Sequence, residues 1–527
     1  MKISSKNLII PLVFVALFCA TNIAVGQTRT NPDSALQAIL DELEGTPLPL
    51  QQAVQHALKN ATSVRRAEAA YLAARGSVRR ERGSYDPELF FNLDYLDQEL
   101  PTASFFSGAP ILNTQQTSSR TGLRMNLPIG TELELSLNAN RLKTNSELAF
   151  LNPEYNTFGS FSLRQPLLRG FAASARKQLT FSERELEAEK ARYDQQVLAV
   201  SSEVERTYWD LYAAERDYAV QKLTRDRADE FLRETEVRAR TGLIGPSQVA
   251  TAKTFLAEQE LLLIELEEQL GRRSDQLASL IGVRPTTGVL RFIPVDDPPN
   301  NFSFEPVEIL VERALKNNLD LQAAQKDIQA ARVLAKAAKW EALPSVDLVG
   351  SYGGAGLSGT AQNVIFGGDT LRIPPGRDGG SFGDALNQVD KLEFPSWSVG
   401  VQVSIPIGFR RGLGEKDRLE AQVLNAQQNH IEISRLLEEQ VRVTYRELSH
   451  GKARLKAARE GVEAAQEQVR IGLIEFKNGR TTAFELVRLG EDSAVAQRRY
   501  SEALVRTAKA AATLRQLTSD KHTAAKN

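Results

Sequence analysis

Two hydrophobic rhythms alternate along this chain. From about Ala172 to Arg240 there is no proline, and Val197, Val204, Leu211 and Tyr218 recur at seven-residue spacing. The interval is clearer further on, at Val441, Leu448, Leu455, Val462, Val469 and Phe476. Such a repeat keeps one apolar seam turned towards a neighbouring helix, as in a left-handed coiled coil. At 1.5 Å per residue each helix would run about 100 Å. Both stop at glycine-containing turns, Thr241-Gly242-Leu243-Ile244-Gly245-Pro246 and Lys477-Asn478-Gly479-Arg480, before a shorter helical stretch. Glycine accepts the left-handed C-cap, and Pro246 suits the first turn of the next helix. The pattern predicts two long α-hairpins. It also predicts a shorter helix of about 25 residues ahead of each middle section, ending near Pro87 and Pro344.

In the middle sections the period falls to two. Large apolar residues alternate with small or polar ones from Trp397 to Ile405, and Leu89, Phe91, Leu93 and Tyr95 alternate with Phe90, Asn92 and Asp94. After a turn at Pro128-Ile129-Gly130, Leu133, Leu135 and Leu137 alternate with Glu132, Glu134 and Ser136, an added hairpin that would raise the count from four strands to six. Strands of about 9–11 residues with apolar and polar faces fit a transmembrane β-barrel. So few strands, set between long helices and joined by polar loops such as Gly353 to Pro395, make neither a soluble sandwich nor a closed barrel of their own. Open edges are not tolerated in lipid, so several chains must share one barrel.

The chain is also a duplication. Ala57-Leu58-Lys59-Asn60 recurs as Ala314-Leu315-Lys316-Asn317, with Pro87 and Tyr95 matching Pro344 and Tyr352 at the same shift. Later, Thr207, Tyr208, Leu211 and Gly242 match Thr444, Tyr445, Leu448 and Gly479 at a shorter shift, which places about twenty extra residues in the first middle section. The expected division is a first repeat at 27–294, a Pro-Pro linker at 295–301, a second repeat at 302–520 and a tail at 521–527. Within the repeats, strand sections fall at about 87–168 and 344–408, and long α-hairpins at about 172–281 and 412–518.

Composition narrows the function. Lys2 and Lys6, the apolar run Leu8 to Ala20 and the small residues Ala24-Val25-Gly26 have the layout of a secretory signal peptide, 1–26. Cys19, the only cysteine, lies inside it, so the mature protein is expected to have neither disulfides nor a thiol nucleophile. No later run reaches the ~18 apolar residues of a membrane-spanning helix. With 65 basic against 66 acidic residues there is no electrostatic footprint for nucleic acid. Gly354-Ala355-Gly356-Leu357-Ser358-Gly359 fits a dinucleotide-binding string, but no amphipathic helix opens after it, and a surface loop is the simpler reading. His56, His430, His450 and His522 are scattered and read as solvated helix residues, and the carboxylates Glu265, Glu267 and Glu268 as a wet helix face. No cofactor, metal site or catalytic residue is expected.

The repeated Ala-Leu-Lys-Asn, the strand exits Gln165-Pro166-Leu167-Leu168-Arg169-Gly170 and Ile405-Pro406-Ile407-Gly408, and the turns at Gly242-Leu243 and Gly479 resemble, in this order, the TolC-like family of outer-membrane efflux and secretion channels. The resemblance covers essentially the whole mature chain. It implies a homotrimer in the outer membrane of a Gram-negative-type cell, in contact with its lipid, whose strands form one barrel continued by an α-helical barrel across the periplasm. It further implies a periplasmic adaptor (membrane fusion) protein and an inner-membrane pump or ABC transporter as partners. By that likeness Gly242, Leu243, Ile244, Gly479, Arg480 and Thr481 are the adaptor-contact tips, and Pro166 and Pro406 the strand-exit turns. The acidic residue usual beyond the first tip is Gln248 here, whereas the second tip has Glu485. The competing readings are a pore-less periplasmic coiled-coil scaffold or adaptor, which leaves the strand alternation unexplained, and a cell-envelope hydrolase, which lacks a nucleophile or metal cluster.

Overall fold

The computed structural model describes residues 34–286, 288–299, 304–372 and 380–519. The expected signal peptide, the tail, His522 and the last two residues of the expected linker lie outside the described residues.

The first copy begins with α1 (Ser34–Asp41), β1 (Thr46–Leu48), α2 (Leu50–Asn60) and α3 (Thr62–Gly83). Four strands follow, β2 (Glu88–Pro101), β3 (Ile111–Asn126), β4 (Glu132–Thr144) and β5 (Leu151–Pro166), then the hairpin α4 (Lys177–Arg240) and α5 (Pro246–Ile281), and the short β6 (Phe292–Pro294). The second copy has α6 (Val307–Asn317), α7 (Leu319–Glu341) and β7 (Ser345–Ala361). A small hairpin β8 (Val364–Phe366) and β9 (Asp369–Leu371), α8 (Phe382–Asp390), β10 (Phe394–Ser404), α9 (Arg410–Lys477) and α10 (Ala483–Leu517) complete it.

The seven-residue seam forms the helical core: Val204 and Leu211 of α4 and Val441, Leu448, Val462 and Phe476 of α9 are all buried. The 64 residues of α4 and 68 of α9 give lengths of about 96 and 102 Å. Among the described residues no other helix is long enough to run beside either of them for that distance. Along α4, α3 packs on the strand-side half, with Tyr71 stacked on Tyr193 at 6.1 Å, and α5 on the rest. Gly282, at φ +67°, ends α5, and the Asn60 amide donates to the Ile281 carbonyl (3.2 Å), joining α5 to the α2–α3 junction. The second copy repeats the joint: Asn318 caps α7 by accepting from the Leu321 N–H and donates to the Leu517 carbonyl at the end of α10. Thus the recurring Ala-Leu-Lys-Asn ends a separate eleven-residue helix ahead of α3 and of α7.

The six long strands form one antiparallel sheet in the order β10-β7-β5-β4-β3-β2, four from the first copy and two from the second. The added hairpin is therefore part of the same wall. Two expectations need correction. The Gly353–Pro395 stretch is not a long loop, because β7 continues to Ala361 and α8 packs back on the sheet. For the same reason Gly354–Gly359 is strand and not surface loop. Its glycines leave room for α8: a Cβ on Gly356 would lie 2.0 Å from the Ala385 carbonyl oxygen.

Candidate functional site

Strand parity gives the sheet two chemically different faces. One face carries Leu89, Leu123, Leu135, Phe161, Tyr352 and Trp397, which are direct cross-strand partners and form one row. Beside this row lie Phe91, Leu93, Val399, Val401 and Val403, and the whole set is open to the surroundings, with Leu89 77% and Trp397 75% exposed. The other face carries Glu88, Asn92, Asp94, Ser136, Asn138, Ser351, Ser398 and Gln402. Near the helix-side end it bears a ladder of charges. Arg124 binds Glu88 at 2.8 Å, Arg120 binds Glu134 at 2.6 Å, and Arg164 bridges Glu132 (2.9 Å) and Asp347 (2.8 Å). Phe90, the apolar exception there, lies under the Arg120 and Arg124 guanidinium groups at 5.6 and 5.8 Å. A face crossed by these charges requires water, whereas the opposite face is matched to hydrocarbon.

The strand exits re-aim the chain into the long helices. Pro166 ends β5, the next N–H, that of Leu167, donates to Val346 of β7 (2.8 Å), and Gly170 turns at φ +92°. Pro406 follows β10, with Gly408 and Phe409 both at positive φ before α9, and Ile407 between them is fully exposed.

At the far end, Gly242 (φ +77°) and Gly479 (φ +71°) take the left-handed conformation, and a Cβ on either would meet nothing within 4 Å. The Leu243 N–H reaches back to the Arg238 carbonyl (3.0 Å) and the Arg480 N–H to the Glu475 carbonyl (2.8 Å), the same closing bond at both turns. Leu243 is 76% exposed, and Ile244, Arg480 and Thr481 also reach the surface. The two turns are brought together by a contact that no spacing announces. Arg238 stacks on the Phe476 ring at 4.4 Å and donates to the Phe476 carbonyl at 2.9 Å, over a core of Phe231, Ala252 and Leu486. At the second turn Thr482 caps α10 and Glu485 pairs with Arg488; at the first, Gln248 has no charge to offer.

The outer membrane efflux protein family model matches residues 53–283 and 310–519, the two copies without their linker. The chain belongs to this family. As an outer membrane efflux protein it is a channel subunit placed in the outer membrane, and nothing in the match supports a pore-less scaffold or adaptor. The fold is shared with solved channels of low sequence identity. OprN is 16% identical, covering 94% of both chains at a TM-score of 0.61. VceC of Vibrio cholerae is 15% identical, covering 89% of this chain and 95% of its own, at 0.60. The open state of MtrE from Neisseria gonorrhoeae is 16% identical, covering 89% and 88%, also at 0.60. No curated protein matches the efflux protein in sequence.

The sequence marks Tyr208 of the efflux protein only as the repeat partner of Tyr445 and gives no sign of what its hydroxyl does. The Tyr208 hydroxyl, buried under the connection between the copies, donates towards the Leu48 carbonyl and the Asp296 carboxylate and accepts from the Val295 and Asp296 N–H groups. Asp296 also accepts from the Leu50 N–H at the start of α2 (2.6 Å). The start of the expected linker is therefore clasped, and burial pushes the Tyr208 phenol well above its ordinary pKa. Between α4 and α10, burial pushes Asp217 up to about 7 against the opposing pull of Arg498 and Arg216, with Glu502 adding to the rise. Among the described residues there is no cluster that could hold a metal ion, and no helix is long and apolar enough to cross a membrane. His56, His430 and His450 lie apart on α2 and α9, none of them buried.

Proposed function

We propose that three copies close one barrel and form a passive conduit, receiving substrates from a periplasmic adaptor and an inner-membrane pump or transporter and releasing them outside. The observation that carries this reading is the six-stranded sheet with one apolar and one charged face and two open edges. An open edge leaves backbone groups unpaired in lipid, at a cost of several kcal/mol each. Because β2 leaves the helices and β10 returns to them, β10 of one copy meets β2 of the next antiparallel. Six strands from each of three copies make eighteen, a number that leaves an aqueous lumen. In this assembly the charged ladder lines the water path and the apolar rows meet lipid.

The exposed turns at Gly242-Leu243-Ile244 and Gly479-Arg480-Thr481 are the proposed adaptor contacts, and the conduit opens when these ends separate. Energy comes from the pump. The chain itself catalyses no reaction and needs no cofactor. Single-channel recording of outer-membrane protein extracted in mild detergent tests this. Heat-resistant trimers with small, mostly closed conductance are expected. A soluble monomer without conductance would refute it.

A further inference from the structure

We infer that α8 lies on the outside of the barrel wall in the outer leaflet of the membrane, and that the apolar groove beside it holds a lipid acyl chain. This rests on the barrel reading above. The face on which α8 sits is fixed by parity: Gly159, Gly354 and Gly356, its contact points, share the face of Phe161 and Tyr352, not that of Arg164 and Asp347. The contact is close. A Cβ on Gly159 would lie 2.6 Å from the Val389 side chain, Ala385 is completely buried, and Thr157 donates to the Ala385 carbonyl at 2.9 Å.

The helix also completes the wall. β10 pairs with β7 only up to Phe394 opposite Ala355, so among the described residues the β7 edge beyond has no strand beside it. There the Gln388 amide accepts from the Leu357 N–H (2.9 Å) and donates to the Leu357 carbonyl (3.2 Å), standing in for the missing strand. On a face turned to lipid the stand-in matters, because an open strand edge is not tolerated in the hydrocarbon just below.

Height along the strands places α8 near the outer boundary. On β2 the outward positions change from Leu93 and Tyr95 to Asp97 and Glu99, and the row of Tyr95 continues through Thr117, Arg141 and Tyr155 to Ser358. Aromatic and basic residues of this kind mark a membrane interface. Phe382 of α8 meets Tyr155 edge-on at 6.4 Å, in the same belt, while 43% of it stays exposed. Below the helix, Leu135, Leu137, Phe161, Tyr352, Val389 and Leu392 line an open, mainly apolar groove of about 580 Å³, with Asp390 the one charged residue in its lining. On the hydrocarbon-matched face at this height the available occupant is an outer-leaflet acyl chain.

Single cysteines at Leu386, Val401 and Gln402, carrying a fluorescent label in full-length protein reconstituted into phosphatidylcholine vesicles, test the inference. Quenching is compared between lipids bearing a nitroxide near the headgroup, lipids bearing one deep in the acyl chain, and aqueous iodide. The Leu386 label is expected to respond most to the shallow nitroxide, the Val401 label to the deep one and the Gln402 label to iodide. Gly356→Val, which collides with α8, is expected to expose only the Leu386 label to iodide. If Val401 responds to lipid and Leu386 only to iodide, α8 is not in the leaflet and the inference is overturned. If neither responds to lipid, the barrel reading fails first. Asn387→Cys on the same helix gives the same comparison if Leu386→Cys does not assemble.

Discussion

Arginine placed along β10 measures the wall residue by residue. Its eleven residues at 3.3 Å each, tilted about 40°, rise about 28 Å, close to the ~25 Å apolar band of an outer-membrane barrel. Val399, sixth of the eleven and 71% exposed on the apolar face, therefore sits near the midplane. Val401 lies about 5 Å and Val403 about 10 Å nearer the helix-side boundary. Val399→Arg is expected to cost about 2–4 kcal/mol per chain, and so about 6–12 per trimer, with the penalty shrinking through Val401→Arg to about 0–1 kcal/mol per chain at Val403→Arg. Gln402→Arg is expected to be tolerated, because residue 402 pairs with Asp347 on the charged face and one Asp347 carboxylate oxygen has no hydrogen-bond partner there. The yield of heat-resistant oligomer on semi-native gels, calibrated by urea titration, reads the order. Equal tolerance at Val399 and Gln402 would refute the assignment of the two faces.

Arg238→Met removes both the ring contact and the hydrogen bond to Phe476 and is expected to cost about 2–3 kcal/mol at the tips, seen as faster hydrogen exchange around residues 476–482 and more frequent channel opening. Tyr208→Phe is expected to destabilise the helical section by about 2–3 kcal/mol, read as a lower Tm, since the clasp on Val295 and Asp296 is lost. Asp217 holds its proton more tightly when folded, so the unfolded chain binds fewer protons between pH 4 and about 7. Stability is expected to fall as pH rises through that window, by at most about 4 kcal/mol, and to level off above it. Thermal unfolding across the window should lose this slope in Asp217→Asn.

The seam and the strand parities were legible because each is a local period imposed by a single apolar face: Val441 and Leu448 are buried, and Trp397 and Val399 face outwards, where the spacing puts them. What the sequence concealed depends on partners distant in the chain. The break before α3 follows a single asparagine whose amide meets Ile281, 221 residues away. The Gly353–Pro395 stretch reads as loop because its glycines carry no period, and only the return of Ala385 and Val389 onto them reveals a helix seat. Nothing local distinguishes Arg238, whose guanidinium stacks on Phe476, from the other charges along α4. For the tips, sequence located the turns through their glycines, while the bond between them came from the fold alone.

The joints at Asn60–Ile281 and Asn318–Leu517 make the helical wall a composite of unbroken beams and spliced ones. Each splice is held across the gap by a side-chain hydrogen bond to a terminal carbonyl, worth about 1 kcal/mol net, where a sharp kink in an unbroken helix would disrupt its backbone ladder. Because the two splices occupy equivalent places in the two copies, they define a common level around the tube. At that level α4 and α9 run on unbroken and can only curve gently, while the spliced helices are free to tilt against each other. Any lean of the hairpins is therefore expected to be taken up by slippage at the splices and a smooth bend along the two long helices.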